Sequence, residues 1–145
     1  MIIDRQNQVS SAQALTSGTI LSNDTIDLGM AFDVGAGDRM QVTINVNEAF
    51  ASGTSVQPQV ITSTAANLSS PTVLASLPAL TLAQLTAGAS FVFPIPETNP
   101  QGRGQRYLGV RYVLIGTFTS GAVTTAIVKD AQHTGKIYTG GYSVT

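Results

Sequence analysis

The sequence predicts an all-β protein, specifically a jelly-roll or Greek-key β-sandwich of about eight strands. Fourteen glycines and six prolines interrupt the 145 residues at short intervals, which is typical of short strands joined by turns. Several segments alternate apolar and polar residues with the period of two expected of half-buried strands. Long connections containing glycine and proline favour Greek-key wiring over a simple meander. A chain of this length is predicted to form one domain, residues 1–145.

The clearest strand is 39–47, where apolar side chains occupy every second position: Met40, Val42, Ile44 and Val46. The segment 54–64 is predicted to be its partner strand. Pro58 lies inside this second segment. Because proline cannot donate a hydrogen bond to a ladder, we expect the segment at a sheet edge or at a bulge.

The longest apolar run is 106–118, and its β-branched and aromatic residues indicate a central strand buried on both faces. A tight turn at 119–121 follows, and 122–129 is predicted to return as the hairpin mate of that strand. Residues 80–85 form either one helical turn or a connection between strands. Shorter predicted strands lie at 25–28, 72–77 and 90–96.

Both ends of the chain are polar. Residues 1–16 are interpreted as an extended arm leading into a first strand, although 11–15 also fits a strand or a short helical turn. Residues 130–145 are interpreted as a C-terminal tail that carries Tyr138 and Tyr142.

Composition disfavours several classes of partner. Charged residues make up 10% of the chain, the formal net charge is −1, and the seven basic residues are dispersed. Nucleic-acid binding usually needs a basic face, so neither a nucleic acid nor a membrane surface is expected as a partner. The sequence contains no cysteine, no stretch of about 18 apolar residues and no recognisable secretory signal. Synthesis in the cytoplasm is therefore the expectation.

No catalytic, cofactor-binding or metal-binding residue is predicted, and the protein is not expected to be an enzyme. His133 is the only histidine, and no Gly-x-Ser-x-Gly motif presents a nucleophile. Asp33 and Asp38 bracket a glycine-rich loop, where a calcium site is an alternative to ordinary turn chemistry, which we favour. The segment 101–106 has the glycines of a phosphate loop, but it precedes a strand and lacks the Lys-Ser/Thr pair.

Three arginines near the longest apolar run are candidates for binding a partner protein: Arg103, Arg106 and Arg111. Arginine is a favoured anchor at protein interfaces. Arg111 shares strand parity with Tyr107 and Val113, so we expect it to be paired within the sheet instead.

Three segments of the sequence resemble the capsid cement proteins of short-tailed bacteriophages, a family typified by that of a Bordetella phage. They are the opening segment 1–16, the segment 22–29, and 106–112 with the Gly116-Thr117 pair that follows it. The resemblance covers most of the chain and is weakest over 56–85.

The resemblance implies a jelly-roll protein on the outer surface of an icosahedral head. It would be made in the host bacterial cytoplasm, assemble as a homodimer and bridge major capsid proteins. The candidate interface residues are Ile2, Ile3, Asp4, Gln6, Arg103, Arg106, Tyr138 and Tyr142. The alternative is a carbohydrate- or host-binding module of a phage tail or fibre. That alternative is disfavoured because the chain has no tryptophan and only four tyrosines to form a sugar platform.

Overall fold

The computed structural model describes residues 3–31, 39–96 and 104–129. These residues form ten strands and two short 3-10 turns, Arg5–Asn7 and Leu82–Gln84. The strands are β1 (Gln8–Ala14), β2 (Thr19–Leu21), β3 (Ile26–Asp27), β4 (Met40–Ala51), β5 (Ser55–Ser63), β6 (Thr72–Ser76), β7 (Leu80–Thr81), β8 (Ser90–Pro94), β9 (Tyr107–Ile115) and β10 (Ser120–Lys129).

The strands form two antiparallel sheets with the wiring of a jelly roll. Sheet A has the order β1-β10-β4-β8, and sheet B has the order β2-β9-β5-β6. Strand β3 also pairs with β9, and β7 also pairs with β5, so that β2 with β3 and β6 with β7 act as two interrupted strands. Eight strand positions result, and the chain crosses repeatedly between the sheets, as in a double Greek key. The predicted jelly-roll sandwich is therefore confirmed.

The core lies between the two sheets. The predicted alternation in β4 is confirmed, because Val42, Ile44 and Val46 are buried with at most 2% of their surface exposed. Across the core, β9 contributes Val110 and Tyr112, which are fully buried. Burying each such side chain stabilises the fold by about 1.5–3 kcal/mol relative to its exposure.

Two predicted strand pairings are wrong. Strand β5 does not pair with β4, and β10 does not pair with β9, since each pair is split between the two sheets. Instead β10 pairs with β1 and β4, whereas β5 pairs with β9. The physical reason is that strands of one sheet lie side by side, so their apolar faces cannot cover each other. Strands in opposite sheets face each other across the core, and their apolar sides are buried there.

Of the two expectations for the Pro58 segment, the sheet edge is wrong, because β5 lies between β9 and β6, whereas the ladder between β5 and β6 does contain a register shift, between Val60 and Ile61. The carbonyl of Pro58 accepts a hydrogen bond from Leu77 N at 3.0 Å, on the side of β5 that faces β6 and β7. The missing N–H of proline points to this same side in an extended strand. At Pro58, β5 faces the gap between the end of β6 and the start of β7. No hydrogen bond of the ladder would use a backbone N–H at this position, so the proline removes none.

The interpretation of residues 1–16 as an arm is wrong for the part from Gln8 onward, which is strand β1 of sheet A. Val9 and Ser10 are fully buried, and Leu15 is 1% exposed. The alternative that 11–15 forms a strand is confirmed as far as Ala14. The register of this strand against β10 shifts twice, with Ala12 at a positive φ of 44°. Such a bulge breaks the simple alternation of buried and exposed residues. The predicted tail, 130–145, lies outside the described residues.

Two phenylalanines close one end of the core against glycines. The rings of Phe50 and Phe118 meet edge to face, with centroids 5.3 Å apart. A Cβ atom at Gly121 would lie 2.4 Å from the Phe50 ring, and one at Gly53 would lie 2.2 Å from the Phe118 ring. The two glycines are therefore needed for the close approach of these rings.

We predict that Gly121→Ala lowers the free energy of unfolding by about 2–4 kcal/mol, because it combines a clash with Phe50 and a φ of +139°. Gly88→Ala is the matched control, since Gly88 has a φ of +82° but open space around its Cβ position. It should cost only about 1 kcal/mol. Urea unfolding of both variants measures the difference, and equal losses would show that the ring contact is unimportant.

Candidate contact surfaces

An apolar patch is open on the outer face of sheet B. We call it the outer patch, and it consists of Thr19, Leu21, Val113 and Ile115. Thr19 pairs with Val113 across β2 and β9, and Ile115 follows Val113 on the same face. Ile115 is 56% exposed and Leu21 is 36% exposed. The prediction that the β9 segment is buried on both faces is therefore wrong at this end of the strand.

The other end of the same face is covered by the connection between β5 and β6. Leu68 in that connection is 2% exposed, and Ile61 of β5 is fully buried. A Cβ atom at Gly109 would lie 2.5 Å from Leu68 Cδ1, so the glycine makes room for the leucine. The connection is held by the Ser63 hydroxyl, which donates to the Ser69 carbonyl at 2.7 Å. Sheet B is thus covered at one end and open at the outer patch.

Arg111 lies beside the outer patch and is paired within the sheet. Its Nε donates to Gln59 Oε1 at 2.5 Å, across the β5–β9 ladder. The expectation that Arg111 is paired in the sheet is confirmed. This hydrogen bond holds the guanidinium along the sheet.

The N-terminal residues form a compact turn where an arm was expected. The Asp4 carboxylate accepts a hydrogen bond from Gln6 N at 3.0 Å, and its carbonyl accepts one from Asn7 N at 3.0 Å. The turn Arg5–Asn7 leads directly into β1. Asp4 and Gln6 are exposed and Ile3 is partly exposed, so these three candidate residues lie together on the surface. The candidates Ile2, Arg103, Tyr138 and Tyr142 lie outside the described residues.

Arg106 forms a two-pronged ion pair with Asp27. Its Nε and Nη2 donate to the two carboxylate oxygens at 2.8 and 2.9 Å. Gly29 N adds a third hydrogen bond at 2.8 Å, and the guanidinium lies 5.1 Å from the centre of the Tyr107 ring. The pair connects β3 to the start of β9. Arg106 therefore already has a carboxylate partner within the chain, and its contact with a second protein stays a prediction.

The Arg106 hydrogen bonds, followed by that from Gly29, lower the pKa of Asp27 to about 2. The stabilisation by this pair is complete above the pKa that Asp27 has in the unfolded chain, and it is lost as the pH falls toward 2. Nearly half of each side chain is exposed, so solvent and salt weaken the pair and its contribution is small.

A buried polar network joins the two sheets. The Tyr112 hydroxyl of β9 donates to Thr125 Oγ1 of β10 at 2.7 Å and lies 2.9 Å from Ser10 Oγ of β1. Ser10 Oγ donates to Gln13 Oε1 at 2.7 Å, and Gln13 Nε2 donates to the Leu21 carbonyl at 2.7 Å. The network therefore runs from the middle of the core to the strand that carries the outer patch.

A long part of the chain lacks charge. Residues 49–96 contain no Asp, Glu, Lys, Arg or His. They form β5 to β8 and include the edge strands β6 and β8 of the two sheets. The network places β1 beside β2, so β6 and β8 lie together on the opposite side of the sandwich. We call this side the uncharged flank, and its surface loses little electrostatic solvation when a partner covers it.

No cluster of candidate metal ligands forms in the described part of the chain. Among residues 3–31, 39–96 and 104–129, no three His, Cys, Asp or Glu side chains come together as metal ligands. His133, Asp33 and Asp38 lie outside these ranges. Within the same ranges no helix is long and apolar enough to cross a bilayer.

The class of protein that this strand wiring defines is the jelly-roll β-sandwich. Residues 9–127 match the model of the Bbp16 family, and the chain belongs to that family. The match begins in β1 and ends in β10, so it spans the whole sandwich. The family's name points to a protein of a Bordetella phage. A comparison with curated proteins finds no match.

The sequence indicated only part of these surfaces. The sequence predicts Asp4, Gln6 and Arg106 as interface residues, and their contact with a partner stays a prediction, whereas no pattern in the sequence indicates Leu21 or Ile115. The exposure of Leu21 and Ile115 depends on where the β5–β6 connection lies, which no local pattern reveals. The uncharged flank had a visible signal in the sequence, namely the absence of ionisable residues over 49–96.

We predict that Tyr112→Phe lowers the free energy of unfolding by about 1–3 kcal/mol at neutral pH, because Thr125 loses its buried donor. Burial raises the pKa of Tyr112 to about 12, partly opposed by the hydrogen bonds to Ser10 and Thr125. Because the pKa is higher in the folded protein, the neutral Tyr112 side chain contributes its full stabilisation below pH 10, and this stabilisation is lost as the pH rises toward 12. The free energy of unfolding of the wild type should fall by roughly 2–3 kcal/mol over this range on account of Tyr112.

The measurement is urea unfolding of the wild type and Tyr112→Phe at neutral and alkaline pH. The difference between the two proteins isolates Tyr112 from the other tyrosines and should shrink above pH 10. A difference that stays constant with pH would contradict the assignment.

Proposed function

We propose that this protein decorates the outer surface of a phage head, where it binds major capsid proteins and stabilises the shell. It acts by covering surface, without catalysis. Membership of the Bbp16 family supports a role in a phage. Within the structure, the observation that carries the proposal is the outer patch, where Leu21 and Ile115 are exposed on a sheet face.

The outer patch suits contact with a large protein surface. Covering exposed apolar side chains contributes about 25 cal/mol per Å² of apolar area. The patch lies on the face of a sheet, where side chains of two neighbouring strands present a surface to a partner. Its neighbours Ser55 and Gln57 are uncharged and pair with Ile115 and Val113. Arg111, the cross-strand partner of Leu21, is the charged side chain beside the patch, and Gln59 already accepts a hydrogen bond from it. Gln57 Nε2 likewise donates to the Leu77 carbonyl within the chain.

Modest affinity is enough for such a role. When one molecule contacts several capsid subunits, the later contacts are intramolecular and add affinity without new types of contact. The N-terminal turn with Asp4 and Gln6 offers a second contact region, on the side of β1 and β10.

The first test is sedimentation of the purified protein with phage heads that lack it. We expect saturable binding, and heads that carry the protein should withstand heating better than bare heads. Failure to sediment with heads, combined with retention on a glycan column, would favour the carbohydrate-binding alternative instead.

A variant tests the outer patch itself. Ile115→Lys should weaken head binding roughly tenfold or more, because a buried unpaired charge costs at least about 1.4 kcal/mol. Thr64→Lys adds the same charge at an exposed position just after β5, at the end of the β5–β9 ladder opposite to Ile115, and is the control. It should bind as the wild type does. Equal binding by both variants, with both folded by circular dichroism, would remove the outer patch from the interface.

A further inference from the structure

The connection between β5 and β6, residues 64–71, lies across one end of sheet B, and we call it the strap. It holds one buried side chain, Leu68, whereas its other side chains are exposed or partly exposed. Leu68 and the buried Ile61 do not belong to the hydrophobic cluster between the two sheets. Both lie on the outer face of sheet B, so the strap can leave this face without opening the core.

Two residues of the strap have strained backbone angles. Leu68 and Ser70 have positive φ values of 55° and 46°. The left-handed region is unfavourable for residues with a Cβ atom, and bulky side chains such as leucine are seldom found there. Such strain persists only where neighbouring contacts hold it, and it is concentrated in segments that bind or switch. Withdrawal of Leu68 would relieve the strain and so lower the free energy of opening.

The strap is tied to the sheet mainly by side chains. No backbone-to-backbone hydrogen bond joins it to another described element, since Leu68 N donates to Ala65 O within the strap. The hydroxyl groups of Ser63 and Thr25 donate to strap carbonyls at 2.7 and 3.2 Å. Water replaces such bonds at a small net cost when the strap opens. Burial of Leu68 against Gly109 is therefore the main interaction that keeps the strap closed.

We propose that the strap is a lid that opens by local unfolding while the sandwich stays folded. Opening withdraws Leu68 and uncovers Ile61 and Gly109, which pair across β5 and β9. These two residues lie on the same face of sheet B as the outer patch, so the open form offers apolar surface at both ends of this face. In the closed form the strap limits the apolar area that the free protein exposes. The proposal is independent of the proposed function.

The test uses a single introduced thiol, because the chain contains no cysteine. Ile61→Cys places the thiol under the strap, and Val60→Cys places it on the core side of the same strand; both side chains are fully buried in the wild type. A thiol reagent labels each variant at increasing urea concentrations. Without urea, Ile61→Cys should react roughly a hundredfold faster, because local opening costs less free energy than global unfolding. Its rate should change little at low urea, since opening exposes little surface.

A second substitution separates local opening from global unfolding. Ile127→Val, in the core between the sheets, lowers the global stability but leaves the strap intact. It should raise the labelling rate of Val60→Cys roughly fivefold and leave that of Ile61→Cys unchanged. The same urea dependence for both thiols, or the same response to Ile127→Val, would overturn the proposal.

The wild type gives a measurement that needs no variant. Thermolysin cuts before leucine, so it should cleave between Asn67 and Leu68 at a rate that low urea concentrations do not change. Cleavage at this bond with the urea dependence of global unfolding, followed by circular dichroism, would show that the strap opens only when the whole sandwich does.

Discussion

The contact of Tyr112 with sheet A is the interaction on which the rest of the sandwich depends. Tyr112 is fully buried at the centre of β9, and its hydroxyl bonds to Thr125 and lies against Ser10. A buried hydroxyl without partners would cost 1–3 kcal/mol by mutational measures, so the two sheets are held in a relative position that satisfies it. Dispersion and apolar burial supply most of the stability, but they are less directional than hydrogen bonds. The polar network gives the packing one preferred register.

That register positions the outer surfaces. Strand β1 is fastened to the core by Ser10 and Gln13, and Gln13 also holds the Leu21 carbonyl of β2. The exposed Leu21 therefore stands on a strand whose place is set from inside the core. The Asp27–Arg106 pair ties β3 to the start of the adjacent β9. One side of the sandwich carries these ionic and polar ties, and the opposite side is the uncharged flank.

The division has a physical consequence for association. A surface with ionic groups retains bound water and distinguishes partners by charge, whereas an uncharged surface is dehydrated at lower cost. The uncharged flank is therefore the side of the sandwich whose covering by another molecule removes the least charge from water.

Much of the secondary structure could be predicted from the sequence. The alternation in β4, the proline-closed β8 and the long apolar β9 are local patterns, and local patterns are set by the side chains of adjacent residues. Strand β1 was predicted only as an alternative for 11–15, because its bulge at Ala12 disrupts the period of two. Pro58 did not place β5 at a sheet edge, because the gap between β6 and β7 lies opposite it. That gap, formed by residues far along the chain, removes the need for a backbone N–H at Pro58.

By itself, then, the sequence determined an all-β sandwich and a segment, 49–96, without ionisable side chains. Only the tertiary structure decided which strands share a sheet, that Leu68 covers one end of sheet B, and that Ile115 stays open at the other. The reason is physical. Period and composition act between neighbours in the chain, whereas pairing and exposure depend on residues up to about a hundred positions apart, such as Ser10 and Tyr112.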